Sequence, residues 1–463
     1  MKNNIFFTID KEKCVNCHQC IAVCSTKFAN NGINEIIEVV NDLCIGCGEC
    51  VKACSHDARI PIDDFDSAMT ALQQKEKVIA IIAPAVASNF PNQYLNLNGW
   101  LKSLGIEAIF DVSFGAELTV KSYLEHIQKN KPKLVIAQPC PAIVRYIQIY
   151  KPELIPYLAP ADSPMVHTMK MIKRFYSKYK DHKLLVVSPC VAKRVEFEET
   201  GIGDFNVTMS KIQNHLNDNK ISLEDFQKVE FDNDPAERAV LFSSPGGLLE
   251  TAERKVPGIR YQSRKIEGPH TIYKYLEKLE KQLEKGMTPL LIDCLNCELG
   301  CNGGTGTNCY DKSPDELEYY VNQRSIEAQN KQKTTENNKI TTVQYEQLVD
   351  KYWEEGLYDR TYEDLSSNTS IIKIPTEDEL QNIYTLMDKH KKEDHKNCSS
   401  CGYDSCEIMA VAIFNNLNKA ENCHHYLHEE LNTKTVEANN QKDEIIKDSE
   451  AILSLIYKIR QSI

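Results

Sequence analysis

The sequence lacks any run of about 18 apolar residues, the minimum length for a membrane-spanning helix. Its first residues, MKNNIFFTIDKEKC, also lack the apolar stretch of a signal peptide. Basic residues are outnumbered by acidic ones: the net charge is −12, and no basic arm is present to neutralise phosphates. We therefore expect a soluble, cytoplasmic protein that binds neither membranes nor nucleic acids.

Histidine is also scarce beside the cysteines, since few of the 12 histidines lie at ligand spacing from any of the 18 cysteines. The cysteines are clustered, at 14–24, 44–54, 140, 190, 294–309 and 398–423. In a reducing compartment, clustered cysteines indicate metal ligation rather than disulfides. Sulfur-rich, histidine-poor groups favour iron–sulfur clusters over mixed zinc sites.

The part of the chain after Lys77 alternates apolar segments and polar loops with helix patterns, such as 118–129 and 164–179. This alternation predicts an α/β domain with parallel sheets, whose ligands gather in the loops after the carboxyl ends of the strands. Five segments are predicted to begin with a buried apolar strand that leads into a loop: KVIAIIAPAVAS (77–88), KLVIAQPCPAIV (133–144), KLLVVSPCVAK (183–193), RAVLFSSPGGLLETAER (238–254) and TPLLIDCLNCELGC (288–301).

Two motifs near the N-terminus share the spacing C-x2-C-x2-C-x3-C: CVNCHQCIAVC at 14–24 and CIGCGECVKAC at 44–54. Three thiolates of each run hold one cluster, and the fourth reaches the other cluster. A pair of zinc ribbons is the alternative, but zinc has no use for the exchanged cysteine. Segment 5–62 resembles the bacterial two-cluster ferredoxins. It differs in that Ser25 and Ser55 replace the proline that usually follows the fourth cysteine of each motif. The predicted ligand sets are Cys14, Cys17, Cys20 and Cys54, and Cys44, Cys47, Cys50 and Cys24.

Three more cysteine motifs lie in loops of the α/β segment: AQPCP (137–141), SPCVAKRVE (188–196) and DCLNCELGCNGG (293–304). Four thiolates from these loops could bind one further cubane, and the glycines let backbone approach something bulky. In order and spacing, the motifs resemble the active-site signatures of the [FeFe]-hydrogenases, over residues 1–310. APAVAS (83–88) and FSSPGGLLETA (242–252) resemble that family's diiron-pocket loops.

The resemblance implies an H-cluster, which is a [4Fe–4S] cubane joined to a diiron unit carrying CO, cyanide and a bridging dithiolate. It implies that Cys301 bridges the two parts and that Lys193 donates a charge-assisted hydrogen bond to one cyanide. The Pro84–Ala85 backbone would face the other cyanide. The expected cubane ligands are Cys140, Cys190, Cys297 and Cys301; the other expected site residues are Lys193 and Glu196 as catalytic groups, and Pro84, Ala85, Gly303 and Gly304 at the cofactor.

The sequence departs from the family pattern where protons would move. Pro139 occupies the position of the family's proton-shuttling cysteine, and Tyr123 and His126 occupy the positions of its proton-relay carboxylates. Losing a positioned acid–base group costs about 10²–10⁴ in rate, so we expect slow turnover. Ser188 and Leu295 stand at the positions of two signature methionines, and Asp293 stands at the position of a signature glutamate. Candidates for another proton route are Glu117, Glu125, His126 and Glu196.

Two cysteines lie outside these ligand sets. Cys294 and Cys309 are interpreted as small buried thiols, with the alternative that Cys294 replaces the missing shuttle or tunes the cluster.

A last cysteine group, CSSCGYDSC with a fourth cysteine 17 residues later, occupies 398–423. It resembles the C-terminal four-cysteine domain of sensory members of the family, which implies a third, separate [4Fe–4S] cluster; zinc is the alternative. Its ligands would be Cys398, Cys401, Cys406 and Cys423. We interpret His424 and His425 as bystanders on a solvated helix.

The predicted fold is therefore a multidomain α+β and α/β chain. Residues 1–65 form a two-cluster ferredoxin-like domain, 66–345 an α/β H-cluster domain with parallel sheets, 346–430 a C-terminal region with a small helical Fe–S domain, and 431–463 a helical tail. The tail's apolar face either packs against the body or binds a second copy or a partner helix. That face comprises Ile452, Leu455, Ile456 and Ile459.

The predicted function is slow, reversible H2 oxidation and proton reduction at the H-cluster, used for H2 or redox sensing in an anaerobe. Electrons would pass through the [4Fe–4S] clusters to a ferredoxin or another redox or signalling protein. No kinase, phosphatase or PAS-like segment is visible, so a signal would leave through that partner. Two alternatives are a fast, ferredoxin-linked catabolic hydrogenase and an iron–sulfur protein without the diiron unit.

Overall fold

The computed structural model describes residues 5–309, 312–333 and 342–462. The chain divides into two compact units, each built from two separate stretches. The first unit combines Met1–Asp10 with Asn41–Ile371, and the second combines Lys11–Val40 with Ile372–Ile463. Residues 11–40, expected within the N-terminal domain 1–65, thus group with the C-terminal region. The domain boundaries inferred from the sequence stay predictions.

The first sheet of the first unit is parallel, with strand order β6-β5-β8-β9. Its strands are β5 (Val78–Ile82), β6 (Ile109–Asp111), β8 (Lys183–Ser188) and β9 (Phe205–Thr208). Alternate residues of β5 enter opposite cores: Ala80 and Ile82 pack with Trp100 on one face, and Ile79 and Ile81 pack with Phe110 on the other. Because both faces are covered, the strand is apolar throughout.

The second sheet is also parallel, with order β10-β11-β7. Its strands are β7 (Val135–Ile136), β10 (Ser263–Glu267) and β11 (Leu291–Leu295). The predicted α/β architecture with parallel sheets is confirmed, and four of the five predicted strand segments contain a strand.

The remaining predicted strand, at the start of segment 238–254, is wrong. It forms a 3-10 helix at Arg238–Leu241 and then leads into an α-helix at Gly247–Lys255. A short apolar run does not distinguish strand from helix by periodicity. Here the buried Glu117 carboxylate accepts the amides of Glu237 and Ala239, which a helical turn presents together.

Helices cover both sheets. The helix predicted at 118–129 corresponds to α6 (Val112–Asn130), which is longer than predicted, and the one predicted at 164–179 corresponds to α8 (Pro164–Phe175), which is shorter. Asp111 and Ser163 cap α6 and α8 by accepting the amides of Ser113 and Val166. The helices of this unit are α2 (Glu49–Lys52), α3 (Phe65–Gln73), α4 (Val86–Asn89), α5 (Tyr94–Ser103), α6 (Val112–Asn130), α7 (Pro141–Tyr150), α8 (Pro164–Phe175), α9 (Arg194–Thr200), α10 (Met209–Asp218), α11 (Gly247–Lys255), α12 (Pro269–Glu284), α13 (Pro314–Lys333) and α14 (Thr342–Lys351).

The second cysteine motif, 44–54, is anchored to the α/β part of the same unit. Strand β1 (Phe7–Ile9) pairs antiparallel with β4 (Arg59–Pro61) beside it. Arg145 on α7 donates from Nε to the Cys44 carbonyl at 2.7 Å, and Tyr150 donates to the Leu43 carbonyl at 2.7 Å. The helix that begins after Cys140 therefore holds the main chain of the ferredoxin-like motif.

The second unit contains the first cysteine motif and the C-terminal region. Its elements are α1 (Gln19–Ala22), β2 (Asn30–Asn31) paired antiparallel with β3 (Glu38–Val39), α15 (Glu377–Leu386), α16 (Cys406–Phe414) and α17 (His424–Gln461). Helix α17 buries none of its residues, and the tail face predicted from the sequence is exposed. Both alternatives for that face, packing against the body and binding a second copy or a partner helix, stay predictions. Among the helices that the structure describes, none combines the length and apolarity needed to cross a bilayer.

A buried ion pair fastens α6 to α11. Glu117 is fully buried, and Arg254 Nη2 lies 2.6 Å from its Oε2. Burial alone would favour the neutral acid, but the Arg254 guanidinium holds the pKa of Glu117 below its usual range. This stabilisation is present above the ordinary carboxyl pKa and is lost as the pH falls through the lowered one.

We expect Arg254→Met to lower the free energy of unfolding by about 3–5 kcal/mol, because it leaves an uncompensated buried carboxylate. Urea unfolding at neutral pH measures this. Arg260→Met is the matched control: Arg260 pairs with Glu250 on the surface, and such exposed pairs contribute about 0.2–1 kcal/mol. Equal losses in the two variants would contradict the assignment.

Candidate metal centre

A cavity of about 60 Å³ lies where the carboxyl ends of both parallel sheets meet. Its wall is built from residues at or just after β5, β6, β7, β8 and β11, the positions where α/β proteins bind ligands. Two of its side chains are titratable, Lys193 and Cys301. The lining comprises Ala83, Pro84, Ala85, Val112, Pro139, Pro164, Met165, Val186, Ser188, Pro189, Lys193, Phe242, Ser243, Leu295 and Cys301. Four of the predicted site residues, Pro84, Ala85, Lys193 and Cys301, are thus brought together.

Four cysteines converge beside this cavity from three loops. Cys140 precedes α7, Cys190 precedes the 3-10 turn Val191–Lys193, and Cys297 and Cys301 follow β11. Burial and then the charges of Cys297 and Cys140 raise the pKa of the Cys190 thiol to about 12. The pKa of the Cys301 thiol is raised by burial and then by the charges of Cys297, Cys140 and Cys190. Cys140 and Cys297 thus lie close enough to Cys190 and Cys301 to affect their ionisation.

The donor set fits an iron–sulfur cage in its chemistry, since it offers four thiols and no imidazole. Within residues 5–309, 312–333 and 342–462, no three His, Cys, Asp or Glu side chains are gathered tightly enough to hold a single metal ion.

Lys193 is held at the cavity by two acceptors. Its Nζ donates to the Pro139 carbonyl at 2.8 Å and to Glu196 Oε2 at 2.7 Å. Glu196 is only 2% exposed, and its other oxygen accepts from Arg360 Nη1 at 3.1 Å. The two cations compensate the buried carboxylate, so the ammonium group is fixed where it can meet an anion in the cavity.

The glycines of CNGG pack against protein rather than lining the cavity. A Cβ on Gly304 would lie 2.4 Å from the Pro189 carbonyl oxygen, and one on Gly303 would lie 3.0 Å from Leu299 Cβ. Gly300, at φ +59°, would place a Cβ 2.4 Å from the Ser243 carbonyl oxygen. These residues bring the Cys301 loop against the neighbouring loops. Gly303 and Gly304 are not among the residues that line the cavity, and their expected place at the cofactor stays a prediction.

The candidate proton carriers are not gathered at the cavity. Glu117 is held by Arg254, Glu125 pairs with Lys121 at 3.1 Å, and His126 Nδ1 contacts Asn130 at 2.9 Å. The Tyr123 hydroxyl accepts the Gln138 amide at 3.3 Å, and burial raises the pKa of this phenol above its usual range. Of the predicted carriers, Glu196 is the one bonded to a cavity-lining side chain.

The two additional cysteines are buried away from the cavity wall. Cys294 Sγ lies 3.4 Å from the Ala137 carbonyl in the core around Ile136, and Cys309 Sγ lies 3.2 Å from Asn89 Oδ1. Both placements are those of small buried thiols.

Sequence reasoning missed Arg324 on α13. Its Nη1 donates to the Pro84 carbonyl at 3.3 Å, and its Nη2 lies 2.5 Å from Asp111 Oδ2. It thereby ties the pocket loop after β5 to the start of α6. No local signal marks this residue, because its partners are more than 200 positions away.

The second ferredoxin-like motif approaches the four-cysteine site. Burial lowers the pKa of Lys52, but the charges of Cys297, Glu49 and Cys47 outweigh this effect and raise it. Cys47 and Cys140 pack against one apolar core that contains Ile45, Ile143 and Tyr273. Thiols of the motif and of the four-cysteine group therefore share their immediate surroundings.

In the second unit, the four cysteines of the C-terminal region line a single small cavity of about 10 Å³. His424 and His425 also line it, although the sequence reading made them bystanders on a solvated helix. They reach the wall because α17 begins directly after Cys423. The cysteines concerned are Cys398, Cys401, Cys406 and Cys423.

Family models match three regions of the chain. The model described as "Iron only hydrogenase large subunit, C-terminal domain" matches residues 76–305, and a "4Fe-4S dicluster domain" matches 6–55. An Fe-S cluster model matches 394–425. The matches cover the three predicted cysteine regions in the predicted order.

Similar proteins include hydrogenases and another class. Iron hydrogenase 1 of Clostridium pasteurianum is 28% identical over 289 residues, which are 53% of this chain and 50% of that protein. Nuclear prelamin A recognition factor of Mus musculus is 24% identical over 263 residues, 45% of this chain and 57% of that protein. The chain thus spans about half the length of these relatives.

A structural comparison shows the same fold. The [FeFe]-hydrogenase HydA1 from Chlamydomonas reinhardtii superposes with a TM-score of 0.50 at 18% identity, covering 66% of this chain and 100% of that one. At this identity, the likeness concerns the fold alone.

We expect Cys297→Ala to lose about four iron atoms per chain after anaerobic reconstitution with iron and sulfide, because one corner of a cubane would lack its thiolate. Cys294→Ala removes a neighbouring thiol outside the convergent set and should keep the full iron content. Iron and sulfide analysis measures both variants. Loss of iron from Cys294→Ala, or retention in Cys297→Ala, would show that the ligand set is different.

Proposed function

The chain belongs to the [FeFe]-hydrogenase-like family of iron–sulfur proteins, and from that premise we propose that it interconverts H2 with protons and electrons at an H-cluster. The cubane would be held by Cys140, Cys190, Cys297 and Cys301. The diiron unit, with its CO, cyanide and bridging dithiolate ligands, would occupy the adjoining cavity, where it supplies the redox chemistry of H2. Three further [4Fe–4S] clusters, two ferredoxin-like and one C-terminal, would carry electrons.

The observation that carries the proposal is the meeting of Lys193, Cys301 and the Pro84–Ala85 loop in one otherwise apolar cavity. The Lys193 ammonium offers charge-assisted hydrogen bonds to an anionic ligand such as cyanide. Cys301 lies both in the cavity wall and among the four convergent thiols, as a bridging ligand must. Arg324 positions the Pro84 carbonyl and thereby the loop that would meet the second cyanide.

The wall supports slow rather than fast turnover. Pro139 occupies the position from which a thiol would exchange protons, and the Lys193 ammonium is engaged by Glu196 and the Pro139 carbonyl. Positioned acid–base groups contribute about 10²–10⁴ to a rate. Slow turnover suits a sensor of H2 or redox state, which needs only to change its redox state and pass an electron to a partner. A fast catabolic hydrogenase is less consistent with this wall.

The second candidate is an iron–sulfur protein that holds the cubane without the diiron unit. Pro139, Ser188 and Leu295 in the cavity wall favour it, as does the similarity to nuclear prelamin A recognition factor. Lys193 and its buried partner Glu196 favour the hydrogenase, because a fixed ammonium at an apolar cavity calls for an anion.

Artificial maturation with a diiron mimic separates these candidates. After maturation, we expect infrared bands of bound CO and cyanide that shift when H2 is admitted. Lys193→Met should shift or abolish the cyanide bands, whereas the surface variant Lys183→Met, which loses a pair with Glu76, should not. A protein that takes up the full iron of its cubanes but shows no such bands would be the second candidate.

We expect Pro139→Cys to raise H2 turnover of the matured protein by about 10²–10⁴, because it supplies a proton-exchanging thiol in the wall. The contact with Lys193 uses the main-chain carbonyl of residue 139, so the substitution leaves it in place. Pro139→Ala is the matched control and should leave the rate near that of the unmodified chain. The measurement is H2 production from a reduced dye. An unchanged rate in Pro139→Cys with intact infrared bands would refute the explanation for slow turnover.

A further inference from the structure

The second unit brings together two cysteine groups that lie almost 400 residues apart in sequence, the first ferredoxin-like motif and the C-terminal group. Gly402, directly after Cys401, has φ +88°. A Cβ on it would lie 2.8 Å from Ile21 Cβ and 3.0 Å from the His18 carbonyl oxygen. The loop that carries Cys401 therefore packs its bare backbone on α1, the helix that carries Cys20.

Lys27 fastens this contact. Its Nζ donates to the Ala22 carbonyl at 2.7 Å and to the Gly402 carbonyl at 3.4 Å. It also pairs with Asp404 at 3.1 Å, and its side chain is only 14% exposed. The Lys27 ammonium group thus joins the end of α1 to Gly402 and Asp404 in the loop that follows Cys401.

Main-chain bonds fasten a second point. The Gly32 amide donates to the Leu417 carbonyl at 2.8 Å, and Asn422 Nδ2 donates to the Gly32 carbonyl at 2.9 Å. Asn422 immediately precedes Cys423. The C-terminal group is therefore bonded to the first motif near two of its own cysteines, Cys401 and Cys423.

Tyr403 lies between the two groups. It is fully buried, its ring centroid is 6.5 Å from that of Phe28, and its hydroxyl accepts from Asn418 Nδ2 at 3.4 Å. The thiols of Cys401, Cys24 and Cys20 are all near enough for their charge to act on this hydroxyl. A single aromatic side chain thus neighbours thiols of both motifs in a region that excludes water.

We infer that the C-terminal cluster would exchange electrons directly with the ferredoxin-like cluster, whose expected ligands within this unit are Cys14, Cys17 and Cys20. In such a transfer, one electron would leave one reduced [4Fe–4S] cluster, which would be oxidised, and would reduce the other; no bond or proton would change place. The inference rests on the proposed function only for the source of the electrons, since H2 yields two protons and two electrons. In the experiment, dithionite supplies the electrons instead.

The test uses the full chain, reconstituted anaerobically with iron and sulfide but without a diiron unit, and reduced with dithionite. We expect its electron paramagnetic resonance spectrum to show spin–spin broadening that involves the C-terminal cluster. Cys406→Ser should lose about four iron atoms, and the remaining signals should sharpen and saturate at lower microwave power. Cys309→Ser, which replaces a buried thiol outside all predicted ligand sets, should change neither iron nor spectrum.

A second variant tests the packing itself. Gly402→Ala would push a methyl group into α1. Gly356→Ala is the control, because Gly356 has a similar φ of +82° but a methyl group there would meet open space. Gly402→Ala should lose the broadening while keeping its iron, and Gly356→Ala should keep both. If Gly402→Ala loses the iron of the C-terminal cluster, the comparison of the unmodified chain with Cys406→Ser decides whether the two clusters interact.

The inference is overturned if the spectrum of the unmodified chain equals that of Cys406→Ser plus one isolated cluster signal. Unchanged broadening in an iron-replete Gly402→Ala would overturn it as well. Because neither H2 nor the diiron unit enters these measurements, their outcome is independent of the infrared test of the proposed function.

Discussion

The convergence of four half-buried cysteines is the constraint on which the rest of the first unit depends. They come from loops after three parallel strands, and the charges of Cys140 and Cys297 raise the pKa of Cys190 and Cys301 once burial has disfavoured the charged form. Thiolates so placed need a compensating positive charge, which a bound iron–sulfur cage supplies. The two parallel sheets act as the frame that aims these loops at one point, since all their carboxyl ends face the same region.

The surroundings of the cavity compensate buried charge pair by pair. Glu196 is matched by Lys193 and Arg360, Glu117 by Arg254, and Asp111 by Arg324. Such pairs hold their members in one geometry, because separating them would leave a lone buried charge. The same rigidity has a chemical consequence: side chains committed to ion pairs are poor proton carriers, and the wall of the cavity offers little else that titrates.

The two cysteine motifs of the ferredoxin-like segment divide between the units. The motif at 44–54 lies against the four-cysteine site and is tied to α7 by Arg145. The motif at 14–24 lies in the other unit, bonded to the C-terminal group through Lys27, Gly32 and Tyr403. The ferredoxin-like sequence is therefore the stretch of chain common to both units, and each of its halves adjoins a different group of cysteines.

The sequence by itself determined the cysteine groups, the strands that precede them and the residues of the pocket loops. These are local features: thiol spacing, apolar runs and punctuating glycines and prolines act over a few residues. It wrongly predicted a strand at the start of segment 238–254, because a short apolar run suits either a strand or a helical turn, and burial of Glu117 selected the turn. Only the tertiary structure decided that Arg324 holds the Pro84 loop, that His424 and His425 face a cavity, and that Gly402 packs on α1. Those contacts join residues far apart in the chain or depend on which face of an element is covered, and no local pattern encodes either.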